Sequence, residues 1–94
     1  MNTLTPLFDL GQVVATPGAL QALQEASQTP LGFIARHVSG DWGEICPEDT
    51  AQNALSLGHG YRLQSEYSLA NGTKLWIITE ADRSSTCLLL PEEY

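Results

Sequence analysis

Residues 61–80, YRLQSEYSLANGTKLWIITE, predict a β-hairpin and decide the fold class. From 61 to 69, apolar or small residues alternate with polar ones, which is typical of a strand with one buried face. Asn71 and Gly72 suit the two positive-φ positions of a type I′ turn. The returning strand, 74–80, is apolar on both faces, so we expect it in the interior of the sheet.

Two further strands are predicted. Residues 86–90 form a predicted third strand that Pro91 closes, so that 61–69, 74–80 and 86–90 make an antiparallel meander. Residues 7–16 contain enough β-branched and aromatic side chains for a short N-terminal strand, with Gly11 as a candidate bulge.

Three helices are predicted between the N-terminal strand and the hairpin. Thr16 and Thr29 each precede a proline, the signature of a capped helix start, and predict helices over 17–27 and 30–38. A third helix should run from 47 to about 57. In the second helix, four apolar residues at helical spacing should face the core: Leu31, Ile34, Ala35 and Val38.

A length of 94 residues, 43% of them apolar, suits one hydrophobic core rather than two. We therefore expect a single α+β domain over residues 1–94, with a short N-terminal strand and two to three helices packed on a C-terminal three-stranded antiparallel β-meander. Two distant cysteines, Cys46 and Cys87, belong to no metal-binding or redox motif. Reduced thiols and no cofactor are expected.

The charge balance narrows the function. Four basic residues against eleven acidic ones give a formal net charge of −7, which repels phosphate backbones and disfavours direct nucleic-acid binding. An acidic surface suits solubility or a basic protein partner. The first residues lack a basic region followed by an apolar one, and no apolar run reaches membrane-spanning length, so a cytoplasmic protein is expected.

The segment 40–49, GDWGEICPED, carries four carboxylates and no cation of its own. Its glycines and proline predict an ordered loop held by a tryptophan. The spacing of the acids matches no metal-binding loop, and two of them fit the first turn of the third helix, where the dipole favours negative charge. We therefore expect no metal site, and take as candidate partner-binding residues Asp41, Trp42, Glu44, Glu48 and Asp49.

Common catalytic motifs, such as the P-loop, the nucleophile elbow and the zinc-protease helix, are missing from the sequence. His37 with Asp41 could supply a general base and its orienting carboxylate. The alternative, which the position favours, is a histidine at the flank of a helix end that interacts with the last carbonyls. Trp42 and Trp76 could form a binding wall, but in a small domain core positions are favoured.

Four phrases carry a resemblance: FDLGQVVATPGAL at 8–20, RHVSGDWG at 36–43, WIITEADRS at 76–84 and LLPEEY at 89–94. Together they resemble a family of small bacterial proteins that travel on plasmids and integrative elements and are often labelled "plasmid-related protein" or "type I restriction endonuclease subunit M". The resemblance implies a mobile-element accessory protein that could oppose a host defence system. It does not imply a methyltransferase, because the chain lacks the length and the Asn-Pro-Pro-Tyr motif of one.

A weaker resemblance, in the order of helices and strands, is to the barnase-, EndoU- and RelE-like RNases. It implies catalytic roles for His37, Arg83 and Thr86. The sequence thus leaves three hypotheses: a non-enzymatic acidic accessory protein that binds a partner, which the charge favours; a small RNase; and a homodimer with a structural role. A cleft that unites the three RNase residues would support the enzyme.

Overall fold

The computed structural model describes residues 6–94, and this part of the chain folds as a mixed α+β domain. Its helices are α1 (Pro17–Glu25), α2 (Pro30–Val38) and α3 (Pro47–His59), followed near the C-terminus by a 3-10 turn at Pro91–Glu93. Its strands are β1 (Gln12–Ala15), β2 (Leu63–Ser68), β3 (Lys74–Thr79) and β4 (Ser85–Leu89). No helix in this part of the chain has the length and apolar character to cross a membrane.

The four strands form one sheet in the order β1-β4-β3-β2. The predicted meander is confirmed, because β2 pairs antiparallel with β3 and β3 with β4. The interior position predicted for 74–80 is also confirmed. The N-terminal strand lies parallel to β4, with Val13 opposite Thr86, a partner that the sequence did not predict.

The turn between β2 and β3 differs from the predicted type I′ turn. A type I′ turn needs positive φ at both central residues, and here Gly72 has φ 87° while Asn71 does not have positive φ. The amide of Leu69 donates to Thr73 at 2.8 Å, which leaves a three-residue loop. Asn71 Oδ1 accepts from the Thr73 amide at 3.1 Å, so the asparagine side chain stabilises this longer turn.

The two ends of the predicted N-terminal strand are not part of β1. Gly11, taken as a bulge, instead precedes the strand with φ 64°, and a side chain there would collide with the backbone of Ser84. The cap at Thr16 is confirmed, because its Oγ1 accepts from the Ala19 amide at 3.1 Å. Helix α3 continues two residues past the predicted end, until Gly60 ends it with a left-handed φ of 73°.

The core lies between one face of the sheet, the front face, and helices α1 and α2. Leu75, Ile77 and Leu88 on the strands pack with Leu23 of α1 and Phe33 of α2. All five are at most 7% exposed, which makes this cluster the main hydrophobic contribution to stability.

The predicted core face of helix α2 is confirmed in part, because Val38 is buried and Ile34 packs against the core. Its buried residues are Phe33, His37 and Val38, whereas Leu31 is 74% exposed. Phe33 and His37 are four residues apart and therefore lie on one side of the helix. The Phe33 ring packs on Tyr67 at 5.4 Å, so the large aromatic side chain, rather than Leu31, sets the orientation of the helix.

Candidate functional site

His37 lies inside the protein and not at the flank of the helix, so its predicted interaction with the last helix carbonyls is wrong. Its side chain is 0% exposed. Nδ1 lies 2.5 Å from Ser65 Oγ on β2, and Nε2 lies 2.9 Å from Thr79 Oγ1 on β3. Thr79 Oγ1 in turn lies 2.7 Å from Thr86 Oγ1 on β4. A chain of buried polar groups therefore crosses three strands.

The donor and acceptor roles along this series of hydrogen bonds follow from Thr86, its last residue. Thr86 Oγ1 donates its only proton to the carbonyl of Leu10 at 2.7 Å, so it must accept from Thr79. Thr79 then has no proton left for His37, and Nε2 of the imidazole must donate to it. Nε2 of His37 therefore carries a proton, and in the neutral form, which burial favours, Nδ1 accepts from the Ser65 hydroxyl.

Two aromatic rings pack against the His37 imidazole. The Phe8 and Trp42 rings meet it edge-on at centroid distances of 5.3 and 5.6 Å. Burial among these groups disfavours the charged form and lowers the pKa of His37 to about 4. Within residues 6–94, no buried side-chain polar atom is left without a partner. The network is thus a satisfied, neutral part of the core.

The RNase hypothesis needs His37, Arg83 and Thr86 at one accessible cleft. The structure joins His37 to Thr86 through Thr79, but both side chains are 0% exposed, so neither can meet a substrate. Arg83, at the turn before β4, binds backbone instead. Its guanidinium donates to four carbonyls at 2.6–3.2 Å: those of Ser56, Tyr61, Glu80 and Ala81.

The acidic segment is partly compensated by cations from elsewhere in the chain. Asp41 forms a two-pronged contact with Arg36, with Nε 2.7 Å from Oδ2, and this hydrogen bond holds the pKa of Asp41 below its usual value. Glu44 pairs with Lys74 at 2.5 Å and accepts from Ser68, which likewise lowers its pKa. Two of the five candidate partner-binding residues are therefore already paired within the protein.

Trp42 supports the loop instead of offering a free surface. Its side chain is 9% exposed and stacks on Phe8 at 6.1 Å, which confirms the predicted core position. Its carbonyl accepts from the Glu66 amide at 3.1 Å, and the Glu44 amide donates to the Glu66 carbonyl at 2.7 Å. The loop is thereby fixed along β2. Gly43, between them, has φ 77°, and a Cβ would collide with the Glu66 carbonyl.

The loop and the back face of the sheet, opposite α1 and α2, enclose an acidic cleft. We define the acidic cleft by Glu44, Asp49, Glu66 and Trp76, which line it together with smaller groups from the loop and β2. Trp76 is half-buried on this back face and does not take the expected core position beneath the helices, where its neighbour Ile77 lies instead. Trp76 Nε1 donates to Glu66 at 2.9 Å.

Glu48 and Asp49 complete the acidic side of this region. Both lie in the first turn of α3, as predicted, and both are exposed. Neither forms an ion pair with any cation among residues 6–94. Of the five candidates, these two alone combine an exposed position with an uncompensated charge, and Asp49 also lines the acidic cleft.

The four cations of the chain are all engaged within the protein. Arg83 binds carbonyls, and the other three pair with carboxylates: Arg36 with Asp41, Arg62 with Glu80 and Lys74 with Glu44. Three of the eleven carboxylates are thus compensated, and eight have no ion-pair partner in the part of the chain that the structure describes. The described surface therefore carries unbalanced negative charge.

Sequence reasoning missed Glu66 and Trp76 as neighbours of the acidic segment. The signal was weak, because Glu66 is one polar member of an alternating strand. Among residues 6–94 no group of three His, Cys, Asp or Glu side chains has the geometry of a metal site. Comparison with protein-family models, curated proteins and solved structures finds no match, so the site itself must carry the functional argument.

Proposed function

We propose that this protein is a non-enzymatic acidic binding protein that engages a basic protein partner through the acidic cleft and the start of α3. The proposal rests on one observation. All four Lys and Arg side chains are bound within the protein, whereas eight carboxylates have no ion-pair partner among residues 6–94. Such a surface attracts basic partners over a Debye length and repels nucleic acid. The binding residues are Glu48, Asp49, Glu66 and Trp76.

The acidic cleft has the chemistry to hold an arginine or lysine side chain. A guanidinium can hydrogen-bond a carboxylate while stacking on an aromatic ring, and the cleft places Asp49 and Glu66 beside Trp76. Trp76 is itself oriented by Glu66 and by the Tyr94 ring, which meets it edge-on at 5.6 Å. A preoriented aromatic ring lowers the entropy lost on binding.

The biological setting belongs to the same proposal. The resemblance to mobile-element proteins supports a cytoplasmic accessory protein of a mobile genetic element, whose partner belongs to a host defence or DNA-processing system. A catalytic role receives less support, because His37 is neutral and sealed by Phe8 and Trp42 and the Arg83 guanidinium binds carbonyls. The proposal therefore assigns binding, and not hydrolysis, to this protein.

The test compares two variants of equal charge. Asp49→Asn with Glu66→Gln removes two charges from the acidic cleft, and Glu25→Gln with Asp82→Asn removes two elsewhere, so each changes the formal net charge from −7 to −5. The tagged proteins are used to capture partners from the native host, with quantitative mass spectrometry of what is retained. Thermal unfolding first establishes that each variant is folded, because Asp49 also favours the start of α3.

We expect the cleft variant to lose the basic partner that the wild type retains, by about tenfold, as one lost charge-assisted contact implies. The matched variant should retain it. Equal retention by both variants, or a partner that is acidic, would contradict the proposal.

A further inference from the structure

The two edges of the sheet differ in whether other parts of the chain form hydrogen bonds with them. On the β2 edge, the side chain of Asn53 bonds both backbone groups of Gln64, donating to its carbonyl at 2.8 Å and accepting from its amide at 3.3 Å. The neighbouring Glu66 exchanges two backbone hydrogen bonds with the loop around Gly43. This edge is therefore covered at Gln64 and Glu66, and such cover is how proteins prevent unwanted strand pairing.

The β1 edge is open along the described chain. The amides of Gln12 and Thr16 donate to the carbonyls of Ser84 and Leu88, on the side of β4. Because backbone groups alternate in direction along a strand, those of Val13 and Ala15 point away from β4. No backbone group among residues 6–94 outside β1 bonds these outward amides and carbonyls. Val13 and Val14 are 42% and 43% exposed, so the edge is apolar as well as unpaired.

Carboxylates lie near both ends of β1, and their charge favours a partner segment with basic ends. Asp9 lies exposed three residues before the strand, without an ion pair in the described chain. At the other end, Glu93 accepts from Thr16 Oγ1 at 2.5 Å, which places a carboxylate at the strand terminus beside the exposed Glu92. A partner strand aligned with Val13 and Val14 would therefore meet negative charge on both flanks.

We propose that the β1 edge binds an extended segment of a partner protein by strand addition, the segment having a β-branched centre and basic residues at its ends. Main-chain hydrogen bonds to Val13 and Ala15 provide affinity, and the flanking carboxylates select basic ends. A second copy of this chain is disfavoured, because it would bring a net charge of −7 and its own acidic flanks to the same edge. The inference rests on the proposed function only for the basic character of the partner.

The probe is a short synthetic peptide of alternating valine and threonine with two lysines at each end, and its control carries glutamates in place of the lysines. Backbone amide exchange of the full chain is followed by NMR. Adding the lysine peptide should slow exchange at Val13 and Ala15 by about tenfold or more, since these amides gain hydrogen bonds. The glutamate peptide should bind about tenfold more weakly at low salt.

A matched pair of variants tests the backbone mechanism. Val13→Pro removes an outward N–H without removing a hydrogen bond to β4, and should abolish peptide binding. Val13→Thr keeps both the N–H and the β-branched shape, and should bind like the wild type. If Val13→Pro does not fold, the wild-type exchange pattern still decides the question.

Three results would overturn the inference. One is unchanged exchange at Val13 and Ala15 at saturating lysine peptide; another is equal binding of both peptides. The third is protection of the same two amides without peptide, together with a dimer in sedimentation velocity, which would make a second copy the occupant. None of these depends on the acidic cleft, so the capture experiment with Asp49→Asn and Glu66→Gln can succeed or fail separately.

Discussion

Lowering the pH from about 7.5 to about 5 should destabilise this protein through one side chain, His37. The imidazole is neutral in the folded protein, where its pKa is lowered to about 4 from an ordinary value of 6.5 because burial penalises the charged form. The unfolded chain therefore binds more protons at this position throughout the interval between the two values. Stability is present above the unfolded pKa and is lost as the pH falls towards the folded one.

The magnitude follows from linkage. Each pH unit between 6.5 and 4 changes the free energy of unfolding by about 1.4 kcal/mol, so the loss should reach about 2 kcal/mol at pH 5 and level off near 3 kcal/mol below pH 4. The paired carboxylates Asp41 and Glu44 have lowered pKa values and stay ionised down to about pH 5. Between pH 7.5 and 5, the expected change in the free energy of unfolding therefore comes from His37.

The assay is urea unfolding at several pH values, with His37→Gln as the control. Glutamine can hydrogen-bond but cannot take up a proton in this range, so the variant should be less stable at pH 7.5 and nearly insensitive to pH down to 5. Equal slopes of stability against pH for the two proteins, or a wild type whose stability does not fall, would refute a neutral buried imidazole.

Two further predictions concern packing. Ile77→Ala should lower the free energy of unfolding by about 2–5 kcal/mol in urea unfolding, because Ile77 is 0% exposed in the core. Leu31→Ala should change it by less than about 0.5 kcal/mol in the same assay, because Leu31 is 74% exposed, and this variant tests the observed orientation of α2. Gly43→Ala should destabilise by more than about 1 kcal/mol, since φ is 77° and the new Cβ would meet the Glu66 carbonyl; a neutral effect in thermal unfolding would show that the loop can move away.

Local chemistry was sufficient to predict most of the fold. Alternation along β2, two apolar faces along β3 and a proline after β4 act through nearest neighbours, and the meander follows from them. The proline-marked starts of α1, α2 and α3 are local in the same way. The turn prediction was wrong, because Asn71 bonds Thr73 and allows a third loop residue.

Contacts between residues that are far apart in the sequence could not be predicted. The parallel contact of β1 with β4 joins residues more than seventy positions apart, and no local pattern encodes it. The same holds for the charges of the acidic segment, because Lys74 lies thirty positions from Glu44 along the chain. The orientation of α2 also depends on residues far apart in the sequence, because Phe33 packs on Tyr67 of β2. The sequence therefore located the acidic segment but not the two cations, Arg36 and Lys74, that pair with its carboxylates.

The central claim, that uncompensated acidic charge recruits a basic partner, is tested most directly by the association rate of the captured partner. Rates are measured by surface plasmon resonance for the wild type and for Asp49→Asn with Glu66→Gln, from about 0.02 to about 0.5 M salt. We expect the variant to associate several times more slowly at low salt and the two rates to converge at high salt, because long-range attraction acts on the encounter. Identical rates at low salt for two folded proteins would contradict the claim.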